Sequence, residues 1–306
     1  MTDSPAALPR DRSTLIGLGW MVVTGLMFVA VTGIVRHVGS EIPAVQAAFL
    51  RYVFGLILIL PVLARLGAWR PSRGSTRLYL WRGLFHGGGV LLWFYAMARI
   101  PIAEVTAIGY LAPIFVAIGA AVFFGERLYT RRIAAIVAGL IGAMVILRPG
   151  FQEISAGQLA QLGAAPLFAA SFLMAKRLTA DEDSGVIVAM LSVTVTIVLL
   201  PFALWHWEAP TLTELGWLAV TAVFATAGHY TMTLALRAAP ITVTQPVTFL
   251  QLVWATILGI TVFGEPVDPY VLAGGAIIVG AATFISHREA VAARRAYTPP
   301  APATKL

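Results

Sequence analysis

Residues 100–126 read IPIAEVTAIGYLAPIFVAIGAAVFFGE, and residues 239–265 read APITVTQPVTFLQLVWATILGITVFGE. Each stretch starts beside a proline and closes on Phe-Gly-Glu. Between these it stays apolar for the ~20 residues that a helix needs to cross ~30 Å of hydrocarbon. A displacement of 139 positions superimposes Pro101 on Pro240, Leu111 on Leu250, Gly125 on Gly264 and Glu126 on Glu265. The chain reads as two copies of one unit.

The rest of the composition fits a lipid environment. With 59% hydrophobic and 11% charged residues and a mean hydropathy of +0.85, there is too little polar side chain to cover a water-facing surface. Hydrocarbon admits helices or closed barrels, and long unbroken apolar runs are not the short alternating segments of a barrel. The expected fold is therefore an all-α integral membrane protein. The chain has no cysteine, and its five histidines are scattered without metal-ligand spacing, so no cofactor or metal is expected. The net charge of +7 is assigned to a positive-inside bias rather than to nucleic acid. The N-terminal residues lack a small-residue cleavage site, so no removable signal peptide is read there.

Ten apolar spans are expected, at about 14–35, 43–65, 77–99, 102–124, 130–148, 156–176, 185–205, 214–237, 241–263 and 269–286. With the N-terminus in the cytoplasm, the inner segments collect sixteen Lys and Arg, and the outer ones three, Arg36, Arg99 and Arg148. That imbalance puts both termini in the cytoplasm. Five spans is an odd number, so the second unit enters the membrane upside down. The expected units are residues 14–148 and 156–286, followed by a basic, Pro- and Ala-rich tail at 287–306 expected to be disordered. Inverted repeats belong with alternating-access transport around a site near the midplane.

Particular residues tie this pattern to a family. Phe49-Leu50-Arg51-Tyr52 resembles the Arg-aromatic motif of a second helix, and Ala98-Arg99-Ile100-Pro101 a short turn between third and fourth helices. Leu111-Ala112-Pro113-Ile114 matches a mid-helix proline pattern, and Gly125-Glu126 and Gly264-Glu265 end the fourth helix of each unit. Together they resemble the EamA branch of the drug/metabolite transporter superfamily. In size, topology and aromatic content the chain is most similar to the YddG-type amino-acid exporters of that branch. The second unit departs from the pattern by placing Leu252 where a proline is expected. The resemblance implies a multi-pass transporter of the cytoplasmic (inner) membrane that moves a small-molecule substrate.

Candidate site residues are those with hydrogen-bonding tips or rings at mid-depth: His86, Trp93 and Tyr95 in the third span, Tyr110 in the fourth, His229 and Tyr230 in the eighth, and Gln245, Thr248, Phe249, Gln251 and Trp254 in the ninth. Such groups suit a neutral or zwitterionic solute with an apolar body. Each ring can equally pack in the core or face lipid. Arg51 sits about 12 Å into its helix at 1.5 Å per residue, where it either snorkels outward or faces a cavity. Gly87 and Gly88 serve either tight packing or a hinge. Gly125, Glu126, Gly264 and Glu265 either terminate helices and bind the amides that open the next one, or form a gate.

The fourteen acids all fall in tails, loops or helix ends, so a buried carboxylate for cation export is not expected. No phosphate-binding glycine loop is present, which excludes ATP as the energy source. The sequence therefore points to an exporter of neutral or aromatic amino acids, acting by uniport or exchange rather than proton antiport. A monomer is expected rather than an obligate oligomer. Nucleotide sugars, organophosphates or drug-like compounds are the alternative cargo, and a membrane enzyme or structural protein the alternative class.

Overall fold

The computed structural model describes residues 10–39, 41–66, 74–124, 130–178, 182, 184–205, 207–239, 244 and 247–297. Its helices are α1 (Arg10–Val38), α2 (Ala44–Leu66), α3 (Thr76–Met97), α4 (Ile102–Gly109), α5 (Ala112–Phe124), α6 (Thr130–Leu147), α7 (Ala156–Leu178), α8 (Ser184–Trp205), α9 (Leu212–Ala238), α10 (Leu250–Phe263) and α11 (Pro269–Tyr297). Ile57, Val122, Ile197 and Val262 are among many large apolar side chains exposed on the outside of the bundle. That surface is apolar because lipid, not water, is its solvent.

Six segments among the described residues are long and apolar enough to cross a membrane, and Leu250–Phe263 and Pro269–Ile285 are shorter apolar helices. α3 and α9 are missing from that set. α3 carries Arg77, Arg82, His86 and a run of glycines, and α9 carries Glu214, His229 and several threonines. Of these, Arg82 and Glu214 are buried and His86 and His229 half-buried, so part of what lowers the hydropathy is polar side chain brought to the interior.

The expected fourth span is two helices rather than one. Pro113 has no N–H to give Gly109, and a single Gly109 is a weak helix former. The chain passes through a tight turn instead: Tyr110 N bonds Ala107 O at 3.3 Å and Leu111 N bonds Ile108 O at 3.0 Å. Helix resumes when Ile114 and Phe115 donate to Leu111 O.

The two units interleave. α1 packs on α9 and α3 on α7, α1 on α10 and α5 on α7, α2 on α9 and α3 on α8. Exchanging the halves turns each of these pairs into the other. α2 with α8 and α6 with α11 map onto themselves. Tyr110 and Phe249, which correspond under the 139-residue shift, touch ring edge to ring face at 5.0 Å, so the pseudo-two-fold axis runs between them. One hydrophobic core joins α1, α2, α3, α8 and α9, and a second joins α4 to α7 with α10 and α11. Each core takes helices from both halves, so neither half buries its apolar face alone.

Glycine sets the closest helix crossings. A Cβ at Gly142 would lie 2.7 Å from Gly274 O, and one at Gly274 would lie 2.5 Å from Gly142 O, so α6 and α11 meet backbone to backbone. A Cβ at Gly83 would lie 2.5 Å from Thr194 Cβ, where α3 meets α8.

Candidate functional site

The interior polar groups gather where α2, α3 and α7 meet. His86 Nδ1 lies 3.2 Å from Ser171 Oγ on α7, and its Nε2 lies 3.0 Å from Tyr52 OH on α2. With both ring nitrogens engaged, the imidazole is held in one orientation. Phe168 packs against His86 with ring centroids 5.3 Å apart and against Trp93 at 6.3 Å. Helical spacing explains the set: Phe168 and Ser171 are three residues apart on α7, and His86 and Trp93 seven apart on α3, so each pair shares a face.

Two cations belong to the same region. Arg51 is 9% exposed, with its guanidinium 4.1 Å from the centre of the Tyr52 ring, a cation–π contact. Arg82 is 8% exposed and donates from Nη1 to Ile187 O at 2.9 Å, while its buried Nε has no hydrogen-bond partner among the described residues. His86 and His229 both lie within electrostatic reach of the two arginines. Neither arginine forms an ion pair with a carboxylate among the described residues. A buried cation without a counter-ion is costly and favours any electron-rich group brought beside it.

The other expected site residues divide. Tyr110 OH donates to Thr248 O at 3.0 Å and its ring meets Phe249, closing the contact between the two helix breaks. His229 meets Phe28 of α1 edge to face at 5.2 Å. Gln251 turns toward α1, with its Cβ facing Gly25. The half-buried Trp254 packs with Val29, Ile102 and Ala255, and its indole N–H is buried without a partner among the described residues. Tyr95 sits at the end of α3 beneath the exposed Arg99 guanidinium, 3.6 Å from the ring centre, away from the His86 cluster.

Tyr230 is 66% exposed. His229 faces α1, and the next residue on a helix points about 100° away, out of that contact. Gly87 and Gly88 lie inside continuous helix, packed against Val198 and Leu167. Gln245, Gly125 and Glu126 lie outside the described residues.

Glu265 does not bind the helix that follows it. Gly264 adopts the left-handed conformation at φ 62°, which lets Glu265 N bond back to Gly259 O at 2.9 Å. The carboxylate then crosses to the other half, where Oε2 accepts from Ile102 N, the first amide of α4, at 2.9 Å. Oε1 faces Arg36 Nη2 at 3.2 Å without hydrogen-bond alignment, so that contact is an ionic attraction. Gly259 leaves the space the carboxylate needs, since a Cβ there would lie 2.7 Å from Oε2.

Sequence reasoning missed Tyr52, Phe168 and Ser171 as site members, because none is unusual alone. It also missed Glu104. Counted as a helix-end acid, it is only 7% exposed and accepts from Gln158 Nε2 on α7. A cleft of about 110 Å³ borders it, away from the aromatic cluster.

Comparison with known proteins adds the lineage. The sequence profile of the EamA-like transporter family matches residues 15–148 and again residues 155–287. The chain is 31% identical over 292 residues to a riboflavin transporter of Rhizobium johnstonii, covering 94% of this chain and 96% of that one. It is 26% identical to an S-adenosylmethionine uptake transporter of Rickettsia bellii, over 90% of this chain and 94% of that one. It is also 26% identical to the pseudopaline exporter CntI of Pseudomonas aeruginosa, over 88% and 95%. A crystal structure superimposes with a TM-score of 0.58 over 95% of this chain and 100% of its own, at 20% identity, which speaks to the fold alone. With both halves matched by one profile and a relative of this identity along nearly the whole chain, this multi-pass membrane protein belongs to the EamA-like transporter family.

Proposed function

We propose that the protein is a secondary transporter of a small aromatic metabolite rich in hydrogen-bond acceptors, with riboflavin the first candidate. The observation that carries this reading is the cluster of Tyr52, His86, Phe168 and Trp93 beside two buried arginines that form no ion pair with a carboxylate among the described residues. A flat ring system with carbonyl oxygens is complementary to stacked rings and guanidinium donors. The riboflavin transporter relative supports the same choice. Because His86 touches both Tyr52 and Phe168, cargo enters only when the helices around them part.

In this reading the chain crosses the cytoplasmic membrane ten times, with both termini in the cytoplasm, and its inverted halves rock about the Tyr110–Phe249 contact. Relatives named for uptake and for export leave the direction to the assay. Export of aromatic amino acids is the second reading: Arg51 would take the α-carboxylate, and Phe168 and Trp93 the side chain.

The test is counterflow of labelled riboflavin in proteoliposomes, with unlabelled tryptophan and S-adenosylmethionine as competitors. Riboflavin exchange that tryptophan does not inhibit is the expected result. Tryptophan counterflow without riboflavin counterflow would favour the second reading, and no counterflow of any of the three would overturn both.

A further inference from the structure

Glu104 differs from the two acids that share its cleft. Glu265 faces Arg36, and Asp268 accepts from Arg148 Nη2 at 2.5 Å. Glu104 has no cation within salt-bridge distance among the described residues; its side-chain partner is the neutral amide of Gln158. Gln158 is held in turn, since its Oε1 accepts from Ser155 N at 2.8 Å and its own N–H donates to Ser155 Oγ at 3.2 Å. The charged groups nearest Glu104 are Glu265 at the end of α10, Asp268 before α11 and Arg148 after α6, with Arg36 of α1 beyond Glu265. Two cations face three carboxylates, so this group of five holds one unbalanced negative charge unless a proton neutralises it.

Access is built in as well. Glu104, Glu265 and Asp268 all line the cleft of about 110 Å³, and its rim residues Pro266 and Val267 are exposed. The carboxyl sits on α4, the short half of a broken helix whose first amide is clasped by Glu265 and whose end meets the pseudo-two-fold axis. An ionised carboxylate facing apolar walls strongly disfavours closure of that cleft, and a neutral carboxyl removes most of the cost.

We propose that Glu104 is the proton-exchanging group of the transport cycle: it takes one proton from the solution that fills the cleft, carries it neutral through the rearrangement of α4, and releases it on the opposite side. One proton enters and one leaves per passage, and no bond of the cargo changes. The proposal rests on the transporter reading above and replaces the expectation of proton-independent movement.

The experiment uses the full chain in proteoliposomes, with labelled riboflavin as probe, comparing wild type with Glu104→Gln, which mimics the neutral acid. Wild type should accumulate riboflavin under an imposed pH gradient, and E104Q should lose that accumulation while keeping counterflow within about twofold. Gln158→Leu should keep counterflow but displace the pH at which accumulation is half-maximal, which a purely structural contact would not do. Driven accumulation by E104Q equal to wild type overturns the proposal, as does wild-type counterflow that no pH gradient can drive uphill.

If wild type shows no riboflavin counterflow, the cargo assignment fails, and infrared titration of the purified proteins decides the matter. A carboxyl C=O band that appears in wild type on acidification and is missing from E104Q supports the proton site. Identical titrations overturn it. Should E104Q not fold, Q158L is read in the same assays, and an unchanged pH midpoint overturns the proposal.

Discussion

Removing the Glu265 carboxylate tests whether Phe-Gly-Glu is a clasp between halves or merely a helix end. Glu265 makes one charge-assisted hydrogen bond to Ile102 N at 2.9 Å and one ion pair to Arg36 at 3.2 Å, with side chains 9% and 22% exposed. A hydrogen bond to a charged group contributes about 1.5–3 kcal/mol, and the partly exposed ion pair adds at most about 1 kcal/mol. Glu265→Ala should therefore cost about 2–3 kcal/mol. At roughly 2 °C per kcal/mol for a chain of this size, that lowers the unfolding temperature by about 5 °C. Arg36→Ala should cost about 1 kcal/mol, and the double variant should fall short of the sum by the coupling between the two groups. The assay is tryptophan-fluorescence melting of the purified protein in detergent, with exposed Glu153→Gln as the control that should not move. An E265A midpoint within a degree of wild type, or strict additivity with R36A, would refute the clasp.

Three further outcomes follow from the packing and the cluster. Gly142→Ala forces a Cβ to 2.7 Å from Gly274 O and should destabilise by about 1–3 kcal/mol, whereas Gly280→Ala meets nothing within 4 Å and should stabilise by about 0.5–1 kcal/mol; opposite shifts in melting temperature check the α6–α11 contact. Tyr52→Phe removes the 3.0 Å partner of His86 Nε2 and should cost about 1–3 kcal/mol in stability while raising the riboflavin concentration for half-maximal exchange, read by melting and counterflow. Arg51→Gln should weaken riboflavin exchange about tenfold or more through loss of one charged donor, whereas Tyr230→Ala, at a 66% exposed position, should leave it unchanged.

How far the sequence could reach depended on whether a signal repeats along the chain or arises only on folding. The duplication was legible because Pro101, Gly125 and Glu126 recur as Pro240, Gly264 and Glu265 at one spacing. The residues that meet on the axis were fixed by the same spacing, since Tyr110 plus the shift is Phe249. What no periodicity could supply was the partner across the bundle. Tyr52 and Ser171 become a site only because α2 and α7 bring their hydroxyls to opposite nitrogens of His86. Glu104 shows the same limit with larger consequences. Its place in the first turn of a helix reads as an interfacial acid stabilising a helix start, and along the chain nothing contradicts that. Burial comes from α7, whose Gln158 reaches it from 54 residues away, and the lack of a counter-charge comes from two arginines committed to other acids. A charge count along the sequence treats all fourteen acids alike. Partner assignment in the fold shows Glu104 buried with a neutral amide as its side-chain partner, and in a low-dielectric interior that gives it reason to bind a proton.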